Sequence, residues 1–353
     1  MGFHCGIDFG TTNSIISVIG SRDDRDSPDG ASAARHLSLL EPSVLFFPAD
    51  LDSTAHRHVG QAAIDHYLAS HMNGRFFQSF KTLLPDPDFL HTRINGKPFK
   101  PEDLVAAVLR HLRIRMEEQI GEAIDTVVLG RPARFSTLPE RDALAQERLE
   151  RAARQAGFHH ISFELEPIAA AWSYERTLQR PELVLVGDFG GGTSDFTIMR
   201  LDPAKATGPL ANGTDRSRDI LGTAGVYVGG DAFDADIMRT QVIDHFGARA
   251  TYESFGQHLP IPVHIFNTIC RWDQIHFLKT VKYREEIRSM LSGCSDRAGL
   301  QRLIALIDKD LSYGLTKAVQ KTKHALSEKE QAALFYRVPE FTIAQALDRG
   351  QFN

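Results

Sequence analysis

The stretch Cys5-Gly6-Ile7-Asp8-Phe9-Gly10-Thr11-Thr12-Asn13-Ser14-Ile15-Ile16 decides the fold, because the chain repeats its plan 180 residues later. The second version reads Val186-Gly187-Asp188-Phe189-Gly190-Gly191-Gly192-Thr193-Ser194-Asp195-Phe196-Thr197-Ile198. Each runs apolar strand, Asp, aromatic, Gly-rich turn with Thr, then a second apolar strand. The repeat predicts two halves of similar design, whose turns can hold opposite ends of one polyphosphate.

The residue types fit that chemistry. Glycine turns the backbone tightly and brings main-chain N–H groups up to a bulky anion with no side chain in the way. Threonine hydroxyls add donors on the same face. A carboxylate repels phosphate, so Asp8, Asp188 and Asp195 make sense only with a bridging cation. Mg²⁺ suits the role, since it keeps several waters and takes one or two carboxylates plus phosphate oxygens. A plain turn with Asp as turn former explains a single such match equally well. The pair, with matching flanks, favours phosphate.

Bulk properties narrow the class. At 353 residues, 42% hydrophobic and 24% charged, the chain can build two domains with sizeable cores. A net charge of -5 argues against nucleic acid or an anionic membrane as the main partner. Cys5, Cys270 and Cys294 fall in no metal-ligand spacing, and their odd number fits a reducing cytoplasmic setting, with Cys5 a small buried hydrophobe on the first strand. No apolar run approaches the ~20 residues that span a bilayer, and a first hairpin within ten residues of Met1 leaves no room for a signal peptide. The fifteen histidines, including His159-His160, show no ligand spacing and read as surface residues.

Along the chain, residues 3–19 read as a two-stranded hairpin, 21–35 as a surface loop, and 44–47 as a strand. A helix is predicted over 59–70. Pro101 opens a long helix, with Glu102 and Asp103 in its first turn and Leu104, Val105, Val108, Leu109, Leu112 and Met116 as its apolar stripe. Further strands are predicted at 125–129, 161–165, 183–188 and 196–201. Helices are predicted at 138–156, with its charges outward, and at 168–178, 231–246 and 300–326; residues 203–224 read as loop. Strands alternating with helices around two hairpins predict an α/β protein with mixed sheets.

These residues resemble the actin-like ATPase superfamily, and within it the DnaK-type seventy-kilodalton heat-shock chaperones. The nearest subgroup looks like the YegD-type chaperone-like proteins, through Leu259-Pro260-Ile261-Pro262 and through Leu311-Ser312-Tyr313 leading to Lys323-His324-Ala325-Leu326-Ser327. The resemblance implies an actin-like ATPase (ribonuclease H-like) fold, two lobes around a nucleotide cleft, with lobes 1–180 and 181–353. It implies ATP or ADP with Mg²⁺ as cofactors, client or co-chaperone proteins as partners, and lobe closure driven by nucleotide.

The resemblance also assigns residues. Gly10, Thr11, Thr12, Asn13, Gly190, Gly191, Gly192 and Thr193 would hold phosphates, and Asp8, Asp188 and Asp195 the Mg²⁺ through water. Lys81, in Phe80-Lys81-Thr82-Leu83-Leu84, aligns with the catalytic lysine, although a lone lysine is ordinarily a solvated charge. Glu166, opening Glu166-Pro167-Ile168-Ala169-Ala170-Ala171, would orient water as a weak base, Asp188 serving beside it, with small alanines packing on the sheet. The plainer role for Glu166 is stabilising a helix N-terminus. Arg131-Pro132-Ala133 looks like the switch segment, with Arg141 as its working arginine; a strand-ending proline explains it equally well.

Gly229 and Gly230, in Gly229-Gly230-Asp231-Ala232-Phe233-Asp234, would present N–H groups to phosphate. Gln320, Lys323 and Ser327 resemble the adenosine helix, with Gln where the family has Glu, which forfeits a charge-assisted bond. A second adenosine turn of the form G-G-S-x-x-x-P is absent, the C-terminal part of the second lobe is expected to be missing, and 341–347 is expected to lack strand partners. The sequence-level reading is a Mg²⁺-dependent ATPase module. Its rivals are a non-catalytic nucleotide sensor or scaffold, a small-molecule kinase of the same superfold, and an actin-like filament.

Overall fold

The computed structural model describes residues 3–21, 34–49, 57–71, 73–207, 216–226, 228–271, 274–309 and 311–352. They divide into two compact units, Met1–Gly229 and Gly230–Asn353. The lobe boundary expected near residue 180 lies inside the first unit. The surface loop expected over 21–35 falls almost wholly outside the described residues, as does the middle of the loop expected at 203–224.

The first unit begins with β1 (His4–Phe9), β2 (Asn13–Ser21) and β3 (Ala34–Pro42). β1 and β2 form the expected hairpin, and β2 pairs antiparallel with β3 from Asn13 opposite Pro42 to Ser21 opposite Ala34. Next come β4 (Leu45–Pro48), β5 (His58–Val59), α1 (Gln61–Ala69) and β6 (Gly74–Phe77), then β7 (Thr92–Ile94) and β8 (Lys97–Phe99).

Helix α2 (Pro101–Ile120) follows the sequence closely. Pro101 supplies its preset φ at the first helical position. The Asp103 carboxylate accepts the Lys100 backbone N–H at 2.8 Å, and Gly121 ends the helix at φ 77°, a conformation that costs a side chain. Leu104, Val105, Val108, Leu109, Leu112 and Met116 are all buried, so the stripe read from the sequence is the core face.

Then follow β9 (Thr126–Arg131), α3 (Pro139–Ala156), β10 (His160–Leu165) and α4 (Glu166–Glu175). β9 lies parallel to both β1 and β10, giving one mixed five-stranded sheet in the order β10-β9-β1-β2-β3. Phe9, Ile16, Val127, Leu129, Leu149 and Phe158 join the α2 stripe in a single core beneath it.

The repeated motif forms β11 (Glu182–Phe189) and β12 (Ser194–Leu201), antiparallel with Asp188 opposite Asp195. After α5 (Pro203–Thr207), β13 (Ile220–Val226) adds to β12, a strand where the sequence read as loop. Its Gly, Thr and Ala content hides it, and pairing with β12 rather than local propensity makes it extended. α4 buries Ile168 and Ala171 against Met199 and Leu201, while Ala169 and Ala170, expected to pack on the sheet, point to solvent. On the opposite face Leu183, Leu185 and Phe189 are 67%, 64% and 72% exposed, and β11 is an edge strand among the described residues.

The second unit contains α6 (Gly230–Ile237), continued by wider and tighter helical turns to Phe246, then β14 (Thr251–Ser254), β15 (Gln257–Pro260) and α7 (Val263–Ile269). α8 (Val281–Ser289), α9 (Arg297–Asp308) and α10 (Ser312–Glu328) precede β16 (Gln331–Arg337) and β17 (Thr342–Asp348). The segment expected to end without strand partners is instead paired from Thr342 onward. β17 runs antiparallel to β16, a strand the sequence reading did not identify. Among the described residues no helix is long and apolar enough to cross a membrane.

Candidate functional site

The two glycine turns meet within the first unit. A Cβ built on Gly192 would stand 3.7 Å from the Thr11 methyl, so the second turn lies against the first. A Cβ on Gly10 would come within 2.2 Å of the Asn13 carbonyl oxygen, and one on Gly229 within 2.4 Å of the Gly191 carbonyl oxygen. Both positions admit only hydrogen, which is why the backbone passes so closely there. Thr12 and Asn13 are exposed, as is Gly190, while Gly191 and Thr193 are partly so.

Three carboxylates and a lysine gather at these turns. Asp8 and Asp188 are the penultimate residues of β1 and β11, each just before its aromatic and its glycine. Glu166 begins α4 where β10 stops. Lys81, from a short 3₁₀ turn over Phe80–Leu83, donates to Glu166 Oε1 at 3.0 Å, with both side chains mostly buried. The ion pair joins positions 85 residues apart. Gly130 lies close by: a Cβ there would sit 3.3 Å from Glu166 Cγ and 3.7 Å from Asp8 Cα.

Electrostatics tie the group together. Desolvation raises the Glu166 carboxyl above its ordinary value; Lys81 opposes this, and the negative charges of Asp8 and Asp188 add to it. Asp8 behaves likewise, raised first by the atoms crowded around it, lowered by Lys81, and raised again by Asp188. The residue as a whole is nevertheless exposed.

Asp188 and Asp195 sit directly opposite on neighbouring strands, on one face of the sheet. Like charges in that position destabilise a sheet. Asp195 is partly relieved by the Thr193 hydroxyl, which donates to it at 3.0 Å. Such a donor set fits a divalent cation. Among the described residues no three His, Cys, Asp or Glu side chains converge closely enough to ligate one ion directly. Carboxylates spaced this way suit an ion that keeps its waters, as Mg²⁺ does.

The remaining predicted residues form a separate cluster in the second unit. Lys323 on α10 donates to the Gly230 carbonyl at 2.8 Å and pairs with the buried Asp234 carboxylate at 2.7 Å. The Gln320 amide donates to the same carboxylate at 3.3 Å. Ser327, one turn further on, only donates to the Lys323 carbonyl at 3.4 Å. The sequence motif gives Asp234 no role of its own; its burial on α6 is what makes it the hub.

Other details depart from the sequence reading. Arg131, not Arg141, makes the strong contacts at the proline segment: its guanidinium holds the Asp142 carboxylate at 2.8 and 3.0 Å and also bonds Gln146. Arg148, expected on the outer face of its helix, is 6% exposed. Ser194 donates to the Val228 carbonyl at 2.7 Å, tying the second turn to the chain before Gly229. Cys5, by contrast, is buried as the sequence predicts, and burial pushes its thiol up to about 12.

A family model described as Hsp70 protein matches residues 4–253, and the chain belongs to the Hsp70 family. Among curated relatives, the chaperone protein DnaK of Mycoplasmopsis agalactiae is 31% identical over 239 residues, covering 66% of this chain and 34% of that protein. The chaperone protein HscA of Salmonella typhimurium is 31% identical over 252 residues, covering 67% of this chain and 37% of its own length. DnaK of Metamycoplasma hominis is 29% identical over 245 residues, with 68% and 35% covered. The chain thus spans little more than a third of each relative. Membership gives it the actin-like ATPase fold, with which the mixed five-stranded sheet and its repeated hairpin agree. The match stops before α10, so Gln320, Lys323 and Ser327 lie outside it.

Proposed function

We propose that this chain is an ATP-binding and hydrolysing, Mg²⁺-dependent module of a heat-shock-chaperone-like protein. The observation that carries the reading is the Lys81–Glu166 ion pair set among Asp8 and Asp188 beside two opposed glycine turns. Gly10, Thr11, Thr12, Asn13 and Gly190–Thr193 would donate to the phosphates. Asp8, Asp188 and Asp195 would hold the hydrated Mg²⁺, whose charge offsets that of the triphosphate. Lys81 would place its ammonium beside the terminal phosphate, and Glu166 would accept a hydrogen bond from the attacking water. Positioning and charge neutralisation supply most of the catalysis in phosphoryl transfer, and these residues offer both.

Gly229 and Gly230 would present N–H groups to the phosphates, and Gln320, Lys323 and Ser327 would face the nucleoside. Closure of lobes 1–180 and 181–353, the partnership with client or co-chaperone proteins, the YegD-like subgroup and a cytoplasmic setting all belong to this proposal. Three free cysteines are in keeping with a reducing compartment.

The test is steady-state ATPase with Mg²⁺ on the whole chain. Lys81→Ala and Asp188→Ala are each expected to lower kcat by at least about a hundredfold, the scale on which mispositioned groups act. Unchanged rates in folded variants refute the assignment. One observation favours the nucleotide-sensor reading: Gln320 spends its amide on Asp234 and offers a ribose no charged acceptor. Calorimetry with ATP and Mg²⁺ separates the two, since binding without turnover selects the sensor.

A further inference from the structure

Lys81 rides on a weak element. Its 3₁₀ turn is four residues long and follows Ser79 at φ 56°, a left-handed conformation that disfavours any side chain. Its local bonds are few: the Thr82 hydroxyl and N–H reach the Ser79 carbonyl, the Leu84 N–H reaches that of Lys81, and the Asp86 N–H reaches that of Leu83 at 3.3 Å, so the carbonyls that follow need other donors. Arg148 supplies them. From α3, its guanidinium donates to the carbonyls of Leu83 and Leu84 at 3.0 Å each, Asp86 at 2.7 Å and Phe89 at 3.3 Å. Among the described residues it makes no ion pair with a carboxylate. A buried guanidinium matched only to carbonyls is costly to keep, so its geometry is demanding.

The same helix grips the other partner. Asp142 holds Arg131 through two hydrogen bonds and also accepts the Phe135 N–H at 2.6 Å. Arg131 ends β9, directly opposite Leu165 on β10 and adjoining Gly130, where an added Cβ would stand 3.3 Å from Glu166 Cγ. One helix therefore anchors the backbone just after Lys81 and the strand end packed against Glu166.

We propose that Arg148 is a positioning residue for Lys81, and that α3, through Arg148 on one side and the Asp142–Arg131 pair on the other, sets the Lys81–Glu166 geometry. The proposal rests on the reading that Lys81 and Glu166 serve hydrolysis. Arg148 touches no reacting atom; it fixes where the ammonium stands. Nucleotide affinity, which depends on the turns, is then spared while turnover falls.

The experiment uses the whole chain with Arg148→Met, Arg148→Lys and Asp142→Asn, and two readouts. In steady-state ATPase, Arg148→Met is expected to lower kcat about 10- to 100-fold with KM within twofold, as displacement of a group by an ångström does. Arg148→Lys, which can still donate to two or three of the carbonyls, recovers part of the loss. Independently, the ¹⁵Nζ resonance of Lys81, assigned by its disappearance in Lys81→Arg, should lose its ion-paired shift and slow proton exchange in Arg148→Met and weaken in Asp142→Asn. A folded Arg148→Met with unchanged kcat and unchanged Lys81 resonance overturns the proposal. If that variant does not fold, an unchanged resonance in both Arg148→Lys and Asp142→Asn overturns it equally. If the wild type does not hydrolyse ATP, the functional reading falls, and the resonance alone decides the positioning.

Discussion

Glu166 carries a charge that its surroundings resist. Desolvation and two neighbouring carboxylates favour its protonated form, and the ammonium of Lys81 only partly compensates. A carboxyl whose folded value is raised contributes stability that is complete below its ordinary value of 4.5 and drains away as pH rises through the raised value. Glu166→Gln keeps a carbonyl acceptor for Lys81 but cannot ionise. In Mg²⁺-free buffer, wild type should therefore lose stability relative to Glu166→Gln as pH climbs above 4.5, the reverse of the usual surface-carboxylate trend. A pH series of denaturant melts on both proteins checks this; a flat or rising difference refutes it. The same destabilisation is what a bound cation would relieve.

At the scale of elements, the glycine turns are defined by what cannot be added to them. Gly229 stands with its missing Cβ inside van der Waals contact distance of the Gly190 and Gly191 carbonyl oxygens, whereas Gly222 on β13 has open space around it. Gly229→Ala should push the second turn out of place and weaken ATP binding by about tenfold or more, in proportion to the donors it misaligns. Gly222→Ala should leave affinity within twofold, because no atom opposes its methyl group. Calorimetry on the pair separates turn geometry from a general cost of losing glycine. If the two behave alike, close backbone approach is not what the motif requires. These turns were legible beforehand because glycine, threonine and aspartate act locally. β13 was not, because a strand of glycine, threonine and alanine is made by its neighbour.

At the scale of the molecule, buried charge joins parts of the chain that share no motif. Glu175, wholly buried at the end of α4, accepts two hydrogen bonds from Arg216 at 2.6 and 2.7 Å and one from the Asp202 N–H at 2.8 Å. Arg216 also binds Asp219, which pairs with Lys205. Glu175→Ala leaves the Arg216 guanidinium to Asp219 alone and a backbone N–H without its acceptor, and should cost about 1–3 kcal/mol of stability. Denaturant unfolding monitored by far-UV dichroism measures it, and a loss under about 1 kcal/mol would show the network to be dispensable.

The amino-acid sequence by itself determined the hairpins, the amphipathic α2 and the order of the motifs, and with them the family. Each depends on residue type at short spacing: a stripe at helical period, a proline at a helix start, glycines beside an aspartate. Only the tertiary structure decided that Lys81 meets Glu166, that Arg148 turns inward under the lysine's turn, that Asp234 captures Lys323 and Gln320, and that β17 has a partner. Those outcomes join residues far apart along the chain, where no periodicity reports proximity. An arginine on a charged helix looks the same whether it ends in water or against four carbonyls, until packing removes the water.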